Sequence, residues 1–221
     1  MTDGPERIER IALGVVAALT VLGFALAVYD APMFRVYTRE DGAIESGTVA
    51  ALLAGATVCF RRVARLGGRR PRLFLAATAL LGALYVGAAG EELSWGQHLF
   101  KFAAPEFFQK HNAQREANVH NLVVQGVKIN RLIFGTGLFV AIVAYCSVAP
   151  LAYRRSPGFR RLVDALAIPL PRTRHVLSYA VLAVAAALIP SQYRWEVVEL
   201  VSATVFLFIT VDPVNRRIFD D

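Results

Sequence analysis

Little in this chain of 221 residues resembles the equipment of a soluble enzyme. It has two cysteines, Cys59 and Cys146, both inside apolar runs and without metal-ligand spacing, so they read as small apolar residues and leave the redox compartment open. There is no glycine-rich phosphate loop, HExxH pair, GxSxG elbow or low-complexity linker. Charged residues make up only 19% of the chain, and its longest stretch without an apolar run, residues 91–131, excludes a sizeable soluble catalytic domain.

Apolar sequence is what the chain has instead. It is 56% hydrophobic with a mean hydropathy of +0.47, too apolar for an ordinary soluble domain and too rich in arginine for a disordered one. Six runs bounded by charge or proline approach the length that crosses a bilayer: 11–29, 43–60, 73–90, 132–153, 176–190 and 195–211. The last two are short and meet at a tight turn. The first has no small-residue cleavage motif after it and reads as a retained span rather than a signal peptide. The expectation is an all-α, polytopic helix bundle of about six transmembrane helices, residues 1–221 forming one integral membrane domain.

Orientation follows from the basic residues, which insertion holds on the cytoplasmic side. The N-terminus, second loop, fourth loop and C-terminus carry sixteen of the 24 lysines and arginines. Both termini are therefore expected in the cytoplasm, in a bacterial inner membrane. The net charge of +7 then needs no nucleic-acid partner.

Ten of the 17 acids fall on the other side, several of them deep. Glu45 starts the second run, Glu91 and Glu92 end the third, and Glu196 and Glu199 start the sixth. Carboxylates near hydrocarbon are costly and usually face a bundle interior or a wet cavity, paired with a cation or a metal. Asp41 to Glu45 and Glu196 to Glu199 faintly echo each other, as halves of a transporter repeat do.

Residues 91–131 hold the densest polar constellation. If the third helix continues past Gly90, Glu91, Trp95 and His98 share a face. If residues 112–128 are helical, Asn112, Glu116 and His120 form one stripe, and Gln114, Asn118, Asn121 and Gln125 the opposite one. Such an amphipathic helix would cap the non-cytoplasmic face, with one stripe toward the acids and the other toward water or a membrane-protein partner.

Imidazole together with carboxylates suits zinc, iron or manganese. The expected ligands of a divalent transition metal are His98, Glu116, His120, Glu45 and Glu199, with Glu91 or Glu92 as general base. A second chemistry pairs Ser94 as nucleophile with His98 as base. Trp95, Gln97, Asn112, Asn118, Asn121 and Glu196 complete the polar site, although Trp95 reads most simply as an interfacial aromatic. The functional expectation is a metal-dependent hydrolase acting on a membrane lipid or lipid-linked substrate. The competing readings are a proton- or cation-coupled transporter using the same acids, and a non-catalytic subunit docked through the 112–128 helix.

Three stretches, Glu40-Asp41-Gly42 with Glu45, Gly90-Glu91-Glu92-Leu93-Ser94-Trp95-Gly96-Gln97, and Asn112 with Gln114, Glu116, Asn118, His120 and Asn121, resemble a group of uncharacterised bacterial multipass membrane proteins. Those proteins share patterns of the form EDGxxE, GEExSWGQ and NxQxExNxHN. The resemblance implies a multipass fold and supports the choice of residues, but carries no activity.

Overall fold

A computed structural model of the chain describes residues 3–39, 42–112, 115–119, 122–124, 127–128 and 138–220. In chain order the helices are α1 (Asp3–Tyr29), α2 (Ala31–Tyr37), α3 (Ala43–Leu66), α4 (Arg72–Glu92), α5 (Gln97–Phe100) and α6 (Glu106–His111). After a two-stranded hairpin, β1 (Val123–Val124) and β2 (Val127–Lys128), follow α7 (Leu138–Val143), α8 (Ala149–Arg155), α9 (Pro157–Ala165), α10 (Thr173–Ala187) and α11 (Arg194–Val211). A π-helical segment, Ala144–Val148, joins α7 to α8. It precedes Pro150, which has no N–H to continue an α-helical ladder.

Among the described residues three helices, Gly4–Tyr29, Ala43–Leu66 and Arg72–Glu92, are long and apolar enough to cross a membrane. Their outer faces are apolar too. Val21 is 70% exposed, Leu84 62% and, on the shorter α10, Val181 67%, a surface suited to lipid rather than water.

α11 is the central element. Its first turns carry Arg194, Glu196 and Glu199, and from Leu200 to its end it is uncharged. A helix apolar all round belongs inside a bundle, and α11 packs against α1, α3 and α10. Val197, Leu200 and Val201 meet Val16, Ile44, Ala186 and Ile189 in one core cluster. Ala203 joins Leu52, Ala56, Cys59 and Tyr85 in a second.

Burial of apolar surface drives little association between helices in lipid, so close packing and polar contacts hold them together. A Cβ on Gly55 of α3 would lie 2.8 Å from the Tyr85 ring of α4. Beyond that ring the Tyr85 hydroxyl donates to Phe206 O at 2.9 Å and shares a 2.8 Å hydrogen bond with Thr210 Oγ1, tying α4 to α11.

The two ends of the bundle differ in chemistry. At one end Arg174 of α10 binds Glu6 and Glu9 of α1 and Asp212, just past α11. The same end holds Arg62, which donates to Val211 O at 3.2 Å. The C-terminal segment folds over it, with Phe219 against Phe74 at 5.7 Å and its carbonyl accepting from Arg65. Glu45, Glu92, Glu196 and Glu199 lie at the opposite end.

The described residues of the expected capping helix over 112–128 are not helical. Arg115 has a left-handed backbone (φ 61°), Asn112 bridges Leu122, and residues 123–124 and 127–128 pair as strands. The side chain of Asn112 satisfies loop backbone groups rather than a helical ladder, and the valines that follow favour a pleated conformation. Nor does α4 continue toward His98. It stops at Glu92, and Ser94 (φ 45°), Trp95 (φ 54°) and Gly96 (φ 81°) turn the chain through left-handed conformations.

Candidate functional site

Two non-glycine residues in succession at positive φ are costly and persist only where the surroundings hold them. Here a hydrogen-bond network does so. Ser94, which is 2% exposed, donates from Oγ to Glu116 Oε2 at 2.8 Å and accepts from Asn118 Nδ2 at 2.9 Å. Asn118 also donates to Glu116 Oε2 at 2.8 Å, and its carbonyl oxygen and Oδ1 both accept from Asn112 Nδ2. Asn112 Oδ1 in turn accepts from Glu116 N. Gln97 Oε1 accepts from Ala117 N at 2.8 Å.

Glu91 staples the same loop from the other side. One carboxylate oxygen accepts from Trp95 Nε1 at 2.8 Å and the other from Val119 N at 2.6 Å. The Trp95 ring lies against Gly90, where a Cβ would come within 2.9 Å of it. Glu91, Ser94 and Gln97 thus hold residues 116–119 onto the end of α4, and Trp95 braces Glu91.

Glu92 points elsewhere. One carboxylate oxygen each from Glu92, Glu196 and Glu199 can be chosen so that all lie within 4.8 Å of one another. Glu45, 6% exposed in the first turn of α3, is near enough to act electrostatically on all three, and Glu116 on Glu196. Among the described residues none of Glu92, Glu196 and Glu199 forms an ion pair with a lysine or arginine. Glu92 and Glu196 are half-buried and Glu199 is exposed, although Val197, Leu200 and Val201 around it on α11 are buried. The cluster therefore lies at the boundary between the packed core and the surface of the bundle.

At about 4.8 Å two ionised carboxylates repel by roughly 3.5 kcal/mol at an effective dielectric constant near 20, and three form three such pairs. A cation relieves that repulsion. Oxygens bound at about 2.0–2.4 Å to one ion stand at most about 4.8 Å apart, so the spacing accommodates a shared cation. Carboxylate oxygen alone favours magnesium, calcium or manganese over zinc.

The structure thus divides the expected site in two. Ser94, Glu91, Trp95, Gln97, Asn112, Glu116 and Asn118 form a positioning network, while Glu92, Glu196 and Glu199, with Glu45 beside them, form a carboxylate cluster. Ser94 Oγ already both donates and accepts within the network. Asn118, expected on an outward stripe, is 1% exposed. His98 lies on α5 with its side chain outside the described residues, as are His120, Asn121, Gln114 and Gln125 entirely.

An ionic cluster not expected from the sequence lies at the opposite end. His175 is 1% exposed, and its Nδ1 accepts from Arg172 N at 3.2 Å. Its Nε2 stands 3.2 Å from Glu9 Oε1 but out of line for a hydrogen bond. No local pattern marks it, because Glu9 sits among the charged residues Glu6, Arg7 and Arg10 and meets His175 only through the packing of α1 on α10. Comparison with known protein families, curated proteins and solved structures gave no match for this chain.

Proposed function

We propose that this protein is a membrane-embedded, cation-dependent enzyme, a hydrolase acting on a lipid or lipid-linked substrate at the non-cytoplasmic face. The observation that supports it is the convergence of Glu92, Glu196 and Glu199 from α4 and α11, with Glu45 from α3, at one end of an apolar bundle. In this reading Glu92, Glu196 and Glu199 would hold a divalent cation, which when bound would supply Lewis acidity toward the scissile group and acidify a water at the site. Glu45 takes the water proton. His98 and His120 remain proposed imidazole ligands, and with them iron, manganese or zinc. The Ser94–Glu116–Asn118 network sets the depth of Glu92 by fixing the end of α4.

The topology belongs to the same proposal: six spans in a bacterial inner membrane, with the arginine-rich end and both termini cytoplasmic. That orientation follows the loop count of basic residues and agrees with the separation of Arg62, Arg172 and Arg174 from the carboxylates.

The test is hydrolysis. Purified protein stripped with a chelator is reconstituted in vesicles of radiolabelled bacterial lipid extract, and release of water-soluble label is followed as Mn²⁺ or Mg²⁺ is restored. The reading predicts cation-dependent release that Glu199→Gln abolishes. Release without added cation, or equal release by the variant, would contradict it. A second reading, a proton- or cation-coupled carrier, is favoured by one feature: among the described residues Glu92, Glu196 and Glu199 form no ion pair with a base. It predicts no release of label but a Glu199-dependent cation flux across the same vesicles.

A further inference from the structure

At the arginine-rich end, between the last turns of α3 and the C-terminal segment, lies an open cavity of about 340 Å³. Arg61, Arg62, Arg65 and Arg216 line it against one acid, Asp220, and Val58 supplies part of its apolar wall.

Arg216 is drawn toward Asp212 at 3.3 Å and Asp220 at 3.8 Å. Arg62 is not so neutralised. It is 8% exposed, donates to Val211 O at 3.2 Å and stacks 4.0 Å above the Phe219 ring, and it forms no ion pair among the described residues. A buried cation whose partners are a carbonyl and an aromatic face is costly, and an anion in the adjoining cavity offsets that cost. The C-terminus of α3 gains from nearby cations, which accounts for arginines there but not for a cavity lined by them.

We propose that this cavity binds a phosphate-bearing anion, and that the anion is the headgroup of an anionic phospholipid. Planar guanidiniums bind phosphate oxygens in pairs, and basic pockets between helices at a membrane boundary hold anionic headgroups. The surface leading to the cavity suits acyl chains, since Phe60 on α3 and Leu73 on α4 are large apolar side chains exposed at this end. The inference needs α3 to cross a membrane, and is independent of whether the acids at the other end hold a cation.

The experiment places the full chain in nanodiscs of phosphatidylcholine alone or with phosphatidylglycerol or cardiolipin. Thermal unfolding is measured, and lipid retained on ejection is counted by native mass spectrometry. The expected result is a higher Tm and a retained anionic lipid only in the discs that contain one. Arg62→Lys and Arg61→Gln should each cut the Tm increment by at least half, while Arg154→Gln, on a different loop, leaves it intact. Arg61 is exposed and makes no hydrogen bond among the described residues, so its variant tests the site even if Arg62→Lys misfolds. Equal Tm in all discs, or an increment that survives the Arg61 substitution, overturns the site. Millimolar inorganic phosphate in phosphatidylcholine discs giving the same increment overturns the lipid as its source.

Discussion

Replacing Asn118 by Asp changes one NH₂ into one oxygen, yet it should destabilise the protein more than removing the side chain altogether. Asn118 Nδ2 donates to Glu116 Oε2 at 2.8 Å and to Ser94 Oγ at 2.9 Å, with Asn118 1% and Glu116 6% exposed. In Asn118→Ala these donations vanish and Asn112 loses a partner. A hydrogen bond is worth about 0.5–1.5 kcal/mol and one to a charged acceptor about 1.5–3, so the three lost bonds total on the order of 3–5 kcal/mol, softened by any water that enters. In Asn118→Asp a carboxylate replaces the donor beside an acceptor oxygen. At 2.8 Å and an effective dielectric constant near 20 the repulsion is about 6 kcal/mol, added to the lost hydrogen bonds. The assay is thermal unfolding in detergent at pH 8 and pH 5. The Asp variant should unfold below the Ala variant at pH 8, and the gap should narrow at pH 5, where a shared proton restores a donor. An Asp variant as stable as wild type at pH 8 would refute the network as described.

Three further outcomes follow from the packing, the ionic end and the cluster. Gly55→Val puts a Cβ 2.8 Å from the Tyr85 ring and should cost about 1–3 kcal/mol by overpacking, read as a lower Tm with Ala54→Val as the control. Acid should weaken the end where α1 meets α10. Burial, reinforced by the Arg174 charge, holds the His175 imidazole below its ordinary value of 6.5 despite the nearby Glu9. Burial alone would raise the Asp212 carboxyl, but Arg172 and Arg174 outweigh it and hold it below 3.8. For His175 the unfolded chain binds the proton first, so its contribution is full above pH 6.5 and is lost as pH falls below that, by at most about 1.4 kcal/mol per pH unit. The Asp212 contribution persists from neutrality down and is lost only as pH falls below 3.8 toward its folded value. Stability between pH 7 and 5 should therefore fall less steeply in His175→Gln than in wild type, and equal slopes would contradict this. Glu92→Gln and Glu196→Gln should each remove cation-dependent hydrolysis while raising Tm in chelator, because each removes a charge from a repelling cluster; a lower Tm in both would count against that repulsion.

Much of the helical order was legible because apolar runs end where charge begins. The run 195–211 is α11 almost to the residue, and 73–90 lies within α4. The run 43–60 stops short of Leu66, since Arg61, Arg62 and Arg65 end an apolar pattern without ending a helix. α2 was not anticipated, although Asp30 caps it by accepting from Met33 N and Pro32 supports its first turn. At the site, residue type identified the participants better than periodicity assigned their roles. Helical spacing grouped Glu91 with Trp95, and they do touch, but across a turn that breaks the helix. Glu116 and Asn118 were assigned to opposite faces of a helix, and they meet because that helix is a loop folded onto Ser94. Glu196 drew less weight than Glu45, because only the packing of α4 beside α11 brings it to Glu92.

The central claim is that Glu92, Glu196 and Glu199 share one cation. Elemental mass spectrometry of detergent-purified wild type beside Glu199→Gln and Glu92→Gln tests it directly. About one equivalent of a divalent metal is expected in the wild type and a loss in both variants, in line with the oxygen ligands that such a cation requires. No stoichiometric metal in the wild type, or the same content in all three, would contradict it.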